Sequence, residues 1–175
     1  MGPMQDPVRP ADDEARQIAQ AVLAEASHAA LAVLDPGTGA PSVSRIALHV
    51  VAGQLVSLVS DLSTHTTALR ADPRVALLVG EPGPKGDPLT HPRMTIDATV
   101  RFADRAEAGF ADLREGYLAC QPKAKLYVDF GDFHFLRFQP TAVALNGGFG
   151  KANSLKHADL EITTTSSPGQ QSIKS

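Results

Sequence analysis

The sequence predicts a mainly β fold with peripheral helices, in which six short antiparallel strands curl into a closed or partly closed barrel. Three observations carry this. Apolar runs of strand length recur between Gly-, Pro- and Asp-rich breakers, and no regular succession of crossover helices separates them, which argues against a doubly wound parallel sheet. One run, Arg93 to Phe102, alternates Met94, Ile96, Ala98 and Val100 with Thr95, Asp97, Thr99 and Arg101, as a strand with one buried and one wetter face does. Finally, so many short strands leave exposed edges unless the sheet closes on itself.

The elements follow in order. Residues 1–11 contain three prolines and no periodicity, and read as a flexible tail. Asp12 and Asp13 are plausible caps for a helix over 13–27, in which Ile18, Val22 and Ala26 recur at four-residue spacing and read as the face laid on the sheet. Ala29 to Leu34 is the first strand, stopped by Asp35-Pro36-Gly37-Thr38-Gly39. Pro41 to Val50 is the second, and beyond Ala52-Gly53 the third runs from Gln54 to Ser60. A helix is expected over Ser63 to Ala71, with Ser63 or Thr64 as cap and Asp72-Pro73 as stop. Arg74 to Val79 is the fourth strand, and the breaker-rich loop Glu81 to Pro88 leads to the fifth, Arg93 to Phe102. A helix over Ala103 to Ala119 places Phe110, Leu113 and Tyr117 on one side; Pro122 interrupts it, and Ala124 to Val128 forms a short turn or helix. His134 to Leu145 is the sixth strand. Residues 158–175 are polar and read as a second flexible tail, so the domain spans 12–157.

With 175 residues the chain suits a single domain with its own core. Sixteen Lys plus Arg against 19 Asp plus Glu give a net charge of -3, which argues against a polybasic surface for nucleic acid or membrane. The longest clean apolar stretch, Val50 to Val59, is too short to cross a bilayer, and the N-terminus lacks the basic start and apolar centre of a secretory peptide. A cytoplasmic protein with neither nucleic-acid nor membrane partners is expected. The single cysteine, Cys120, rules out an intrachain disulfide framework and any Cys-rich metal centre. His28, His49, His91, His134 and His157 show no metal-ligand spacing, so no metal site is expected. Walker, nucleophile-elbow and His-Glu-x-x-His motifs are all missing, and no side chain is marked as catalytic.

The richest polar segment is Ser60-Asp61-Leu62-Ser63-Thr64-His65-Thr66-Thr67, where the third strand meets a helix. Free amides at the helix start, with hydroxyls of Ser60, Thr66 and Thr67, suit a phosphate, and His65 can add a proton or a charge; the same residues also suit a cap that only stabilises the helix. Arg45, between Ser44 and the apolar Ile46-Ala47-Leu48, either makes paired bonds to an acidic ligand or pairs with Asp61. Arg93 either approaches a flat cofactor ring or faces water. Tyr127, Phe130, Phe133 and Phe135 read as core or as a subunit seam.

Taken together, Ala29 to Leu34, Pro41 to Leu48, Val59 to Thr66, Asp72 to Leu78, Arg93 to Ile96, Tyr127 to Phe133 and Gly147 to Ala152 resemble the pyridoxamine-phosphate-oxidase-like, FMN-binding split barrels. Within them the chain is most similar to the branch of HugZ-type haem-degrading proteins. The resemblance implies a homodimer of six-stranded split barrels with two ligand sites at the interface. It implies FMN bound by Ser44, Arg45, Ile46 and Ala47 of the second strand and by Ser60, His65, Thr66 and Thr67, with Arg93 as a further contact. The branch commonly reads His-Thr-Arg-Asn where this chain reads His65-Thr66-Thr67-Ala68, which removes a cation and an amide partner, so that FMN binds weakly, uses Arg70 instead, or is absent. The chain also stops soon after Gly147-Gly148-Phe149-Gly150, without the following domain of HugZ-type proteins, so haem degradation is not carried over. The function implied is an FMN-binding oxidoreductase acting on an unassigned small redox substrate; the alternatives are a haem-binding or haem-handling protein and a noncatalytic dimeric binding protein.

Overall fold

The computed structural model describes residues 9–148 and 151–161. The expected β-rich architecture is present. Its strands are β1 (Arg9–Pro10), β2 (His28–Leu34), β3 (Pro41–Ala47), β4 (His49–Val51), β5 (Gln54–Ser60), β6 (Arg74–Val79), β7 (Arg93–Phe102), β8 (Phe133–Asn146) and β9 (Ala152–Leu155). The helices are α1 (Asp13–Glu25), α2 (Thr64–Ala71) and α3 (Phe110–Cys120).

The second expected strand is divided at Leu48 between β3 and β4. Up to Ala47 it pairs with β2, and the Leu48 N–H still donates to the Ser27 carbonyl at 3.1 Å. From His49 it pairs instead with β5. Pairing then continues from β5 to β8, β7, β6 and back to β2. The barrel is therefore made of six strands when β3 and β4 are counted as one, and it is split where that strand changes partner. Along 41–47, β3 pairs on one side only among the described residues.

Local chemistry explains the turns. The Asp35 carboxylate accepts from the Gly37 and Thr38 amides at 3.1 and 2.8 Å and from the Thr38 hydroxyl, closing the loop between β2 and β3. Where β8 bends, Ala98 pairs with Pro140 and Asp97 with Ala142, leaving Thr141 as the extra residue of a bulge. Its hydroxyl donates to the Asp97 carbonyl at 3.1 Å. A proline is tolerated at such an irregularity because its missing N–H costs the ladder little.

Two cores flank β5 and β8. Leu31, Ile46, Leu55, Val59, Leu77, Ile96, Leu136 and Leu145 belong to the barrel interior, and α1 joins it through Ala15, Ala19 and Leu23. The second core lies under α3, where Val51, Val56, Leu113, Tyr117, Val128 and Phe135 pack together. Tyr117 and Phe135 meet edge to face at 5.2 Å, so the expected aromatic region is partly core. At Gly116 an added Cβ would come within 2.5 Å of Val51 Cγ1, so α3 approaches β4 as closely as a missing side chain permits.

Several boundaries differ from expectation. Helix α1 ends at Glu25 rather than 27, with Asp12 as its cap, the carboxylate accepting the Ala15 N–H at 2.8 Å. Its core face is Ala15, Ala19 and Leu23, and Ile18, Val22 and Ala26 are only partly buried, because the stripe of small residues lets the helix lie closest to the barrel. The helix expected from Ala103 starts at Phe110: Asp104 binds the Ala106 N–H at 2.8 Å, and Gly109 enters α3 at φ +83°. The fold also extends beyond 12–157. Arg9 and Pro10 pair with Asn153 and Ser154, Arg16 donates to Asp159 at 2.8 Å, and Leu160 is buried. Residues 1–8 and 162–175 of the expected tails, like Phe149 and Gly150, lie outside the described residues. No helix among the described residues is long and apolar enough to cross a membrane.

His49 lies in the second core, 7% exposed, its ring 5.4 Å from Tyr117 and its Nε2 without a hydrogen-bond partner. Burial lowers its pKa below the ordinary 6.5, against an opposing bond with Gln121. The folded state thus keeps the imidazole neutral where the unfolded chain binds a proton, and stability falls as the pH drops below about 6.5. Thermal melts of His49→Phe between pH 7 and 5 should show a shallower acid-side loss than wild type. Parallel profiles would remove burial of His49 as its source.

Candidate functional site

Helix α2 meets β3 through the bond between His65 and Ser44, and the polar groups that the sequence singles out lie around this junction, here called the slot. The chain leaves β5 through a tight turn in which the Ser63 N–H donates to the Ser60 carbonyl at 3.0 Å, and the Thr66 hydroxyl donates to the same carbonyl at 2.7 Å. The Ser60 hydroxyl donates to Asp132 at 2.8 Å and accepts from the Leu62 N–H at 3.1 Å. Ser60 and Thr66, expected as phosphate donors, are therefore engaged in building the turn, and Thr66 is buried. Ser63 caps α2 without a side-chain bond, and Thr64 and Thr67 are exposed. The hydroxyls of Ser63, Thr64 and Thr67 make no hydrogen bond among the described residues, and the first two stand at the start of the helix.

His65 reaches across the slot to β3, its Nδ1 bonded to the Ser44 hydroxyl at 3.0 Å. Burial lowers its pKa below the ordinary 6.5, so the ring is neutral at pH 7. Its Nε2 has no partner among the described residues and is not buried. A hydroxyl that orients one ring nitrogen and a second nitrogen left open form the arrangement from which a histidine ligates.

Arg45 leaves β3 on the other face. Ser44 is opposite the buried Leu31 and Ile46 opposite Ala29, whereas Arg45 is opposite Ala30 on the outer face, as is Ala47 opposite His28. Arg45 is exposed and makes no hydrogen bond or ion pair among the described residues. Its charge helps hold the Glu81 carboxyl below its usual range, after the larger effect of the bond from His28. The expectation that Arg45 pairs with Asp61 is not met. Asp61 instead takes Arg70 at 2.7 Å and His134 at 2.8 Å, which keep it ionised, and the Arg70 guanidinium lies 4.5 Å over Phe102. Arg70 is thus held away from the role of replacement cation. Arg93 is partly exposed beside the breaker loop, where it donates to the Leu89 and His91 carbonyls at 2.9 and 3.3 Å and pins the loop before β7. Ile46 is core.

Sequence reasoning missed the Asp61–Arg70–His134 group and the Ser60–Asp132 bond. Their members lie up to 73 residues apart, and the register of β5 against β8, which pairs Ser60 with Phe133, brings them together. Among the described residues no group of three or more His, Cys, Asp or Glu side chains is placed to hold a metal ion. Around the Ser44–His65 bond lie a neutral imidazole with a free nitrogen and the hydroxyls and amides of a helix start, and on the other face of β3 an unpaired guanidinium. The set suits a planar or phosphorylated anionic cofactor better than a bare metal.

The family model for pyridoxamine 5'-phosphate oxidase matches residues 15–147. The non-canonical heme oxygenase HOZ of the Arabidopsis thaliana chloroplast is 36% identical over 102 residues, covering 57% of this chain and 29% of that protein. One solved structure at 41% identity has a TM-score of 0.78 over 87% of this chain and 98% of its own. A heme binding protein from Mycobacterium smegmatis is 27% identical, with a TM-score of 0.76 over 88% of this chain and 61% of its own. The chain thus spans under a third of the curated relative it matches.

The burial of His65 is checked by following its ring resonances from pH 5 to 8. They should titrate with a midpoint below 6.5, and Ser44→Ala should alter the tautomer while leaving the fold intact. A midpoint at or above 6.5 would show that the ring is solvated rather than held in the slot.

Proposed function

The chain belongs to the pyridoxamine 5'-phosphate oxidase family, and from that premise we propose that it is a haem-binding or haem-handling protein whose ligand occupies the slot between β3 and α2. The observation that carries this reading is His65, neutral, oriented by Ser44 and open at Nε2. Two relatives named for haem, at 36% and 27% identity, support it. Haem when bound supplies the iron redox chemistry; the chain's own part is to hold and orient it. His65 would supply a nitrogen ligand to such a group, and Arg45, without an internal partner, would supply a counter-charge to its carboxylates.

A second reading rests on the start of α2. Ser63, Thr64 and Thr67 hydroxyls with the first helix amides and Arg45 also suit a phosphate, so FMN binding, and with it an FMN-dependent oxidoreductase acting on a small redox substrate, is supported by a different part of the same slot. Thr67 and Ala68 replace the branch's Arg-Asn and Arg70 is bound to Asp61, which leaves Arg45 as the cation this reading uses.

We further propose a homodimer. On the outer face, Val43 is opposite Ala32 and Leu78 opposite Ala30, so the four share one apolar patch of β3, β2 and β6 in which Val43 is 68% and Leu78 47% exposed. A second copy packed there would cover apolar area that a monomer leaves in water.

Titrating haem and FMN separately into the purified protein tests the choice. Haem should give a saturable Soret band at one equivalent, altered in position by His65→Ala and weakened by Arg45→Ala, whose lost charge-assisted bond costs about 1.5–3 kcal/mol. Binding of FMN at least tenfold tighter than riboflavin, with no saturable haem spectrum, would overturn the haem reading in favour of the second. Light scattering should give the mass of a dimer for wild type and of a monomer for Val43→Asp/Leu78→Asp; a monomeric wild type would refute the dimer.

A further inference from the structure

Away from the junction of β3 and α2, an open cleft of about 560 Å³ lies between α1 and the loop that joins β6 to β7. That volume is within the range of pockets that hold small organic ligands. One wall is the apolar side of α1, Ile18, Ala21, Val22 and Ala26, and Pro92 closes the other. These are the residues whose periodicity reads as a core face, yet the barrel is packed by Ala15, Ala19 and Leu23 instead. Ile18, Val22 and Ala26 pack against the rim of that core, and their remaining surface lines the cleft.

The opposite wall is built rather than loose. Gly80 stands at φ +112°, and a Cβ there would lie 2.6 Å from the Pro92 carbonyl oxygen. The His91 ring accepts the Gly83 N–H at 3.3 Å and bonds the Lys85 carbonyl at 2.9 Å, and Arg93 grips two carbonyls of the same loop. The polar groups of the lining are Glu25, Ser27, His28, Glu81 and His91. Glu81 takes the His28 Nε2 at 2.5 Å through one carboxylate oxygen, His28 Nδ1 is in turn bonded to the Ser27 hydroxyl at 3.1 Å, and Glu25 makes no ion pair among the described residues. Arg45, the cation that influences Glu81, is not part of the lining.

We propose that this cleft binds a small amphipathic amine, its apolar body laid on Ile18, Val22 and Pro92 and its ammonium group held between the carboxylates of Glu25 and Glu81. The apolar wall supplies affinity without direction, and the two carboxylates supply the charge selection. An anionic amphiphile would meet both carboxylates, and a neutral one would leave them without a counter-charge. The site stands apart from the cofactor slot, so neither reading depends on the other.

The test uses n-octylamine as probe, with n-octanol and n-octanoate as the neutral and anionic counterparts, each titrated into the full-length protein by calorimetry and by amide chemical-shift mapping. Octylamine should bind saturably and at least tenfold tighter than either counterpart, with shifts centred on Ile18 to Ala26 and Gly80 to Pro92. Glu25→Gln should weaken it severalfold, and Glu25→Gln/Glu81→Gln should abolish the preference over octanol. Ala21→Trp, on the exposed wall of the cleft, should block all three probes. Equal binding of octylamine and octanol, shifts elsewhere on the protein, or no saturable binding would overturn the proposal. Because Glu25 is exposed and unpaired, its variant folds even if the double variant does not.

Discussion

The change of partner at Leu48 is the constraint on which the rest of the architecture depends. One extended stretch must satisfy β2 up to Ala47 and β5 from His49, and a strand cannot keep both neighbours along its whole length. The result is a ladder that goes round the barrel while the far edge of β3 is left unpaired. Unpaired edges invite further strands, and β3 keeps such an edge while its Ser44 side chain holds His65 of α2. Splitting the barrel thus leaves backbone groups of β3 outside the ladder next to the junction with α2.

The same geometry divides the charges around the slot. Alternation along β3 sends Ser44 inward and Arg45 outward, so the imidazole and the guanidinium approach a ligand from different sides of one strand. Arg70, which sequence position alone makes a candidate, is drawn to Asp61 and His134 by the pairing of β5 with β8. Arg93 is drawn to the carbonyls of the loop before it. Which cation remains free is thus decided by long-range register and not by proximity in the chain.

That distinction also sets how much was legible in the sequence. Strands such as Arg93–Phe102, the Asp12 cap and the stop at Asp72-Pro73 depend on neighbours within a few residues, and they are read directly. The false helical start at Ala103 shows the limit of periodicity, because Asp104 and Gly109 redirect a backbone whose apolar spacing still looks helical. β1 and β9, of two and four residues, are too short to carry a period and exist through pairing with distant chain, β9 on β8 and β1 on β9. At the site, the candidate residues were legible by type, but the availability of each was not. Ser60 and Thr66 lose their hydroxyls to the turn they build, and His65 gains its orientation from a serine 21 residues away.

The two cores meet across β5 in a way that bears on how the chain finds its register. Leu55 and Val59 point into the barrel, while Val56 between them belongs to the core under α3; on β8, Leu136 and Phe138 face one way and Phe135 the other. Both strands are apolar on both faces, so hydrophobicity by itself does not penalise a slip by one residue. Shape does: such a slip would present Phe135 to the space made for Leu136, and Ser57 would exchange its place in the barrel for one beside Tyr117. Correct pairing of β5 with β8 is thus selected by side-chain volume in two compartments at once, and an error in either is registered in both.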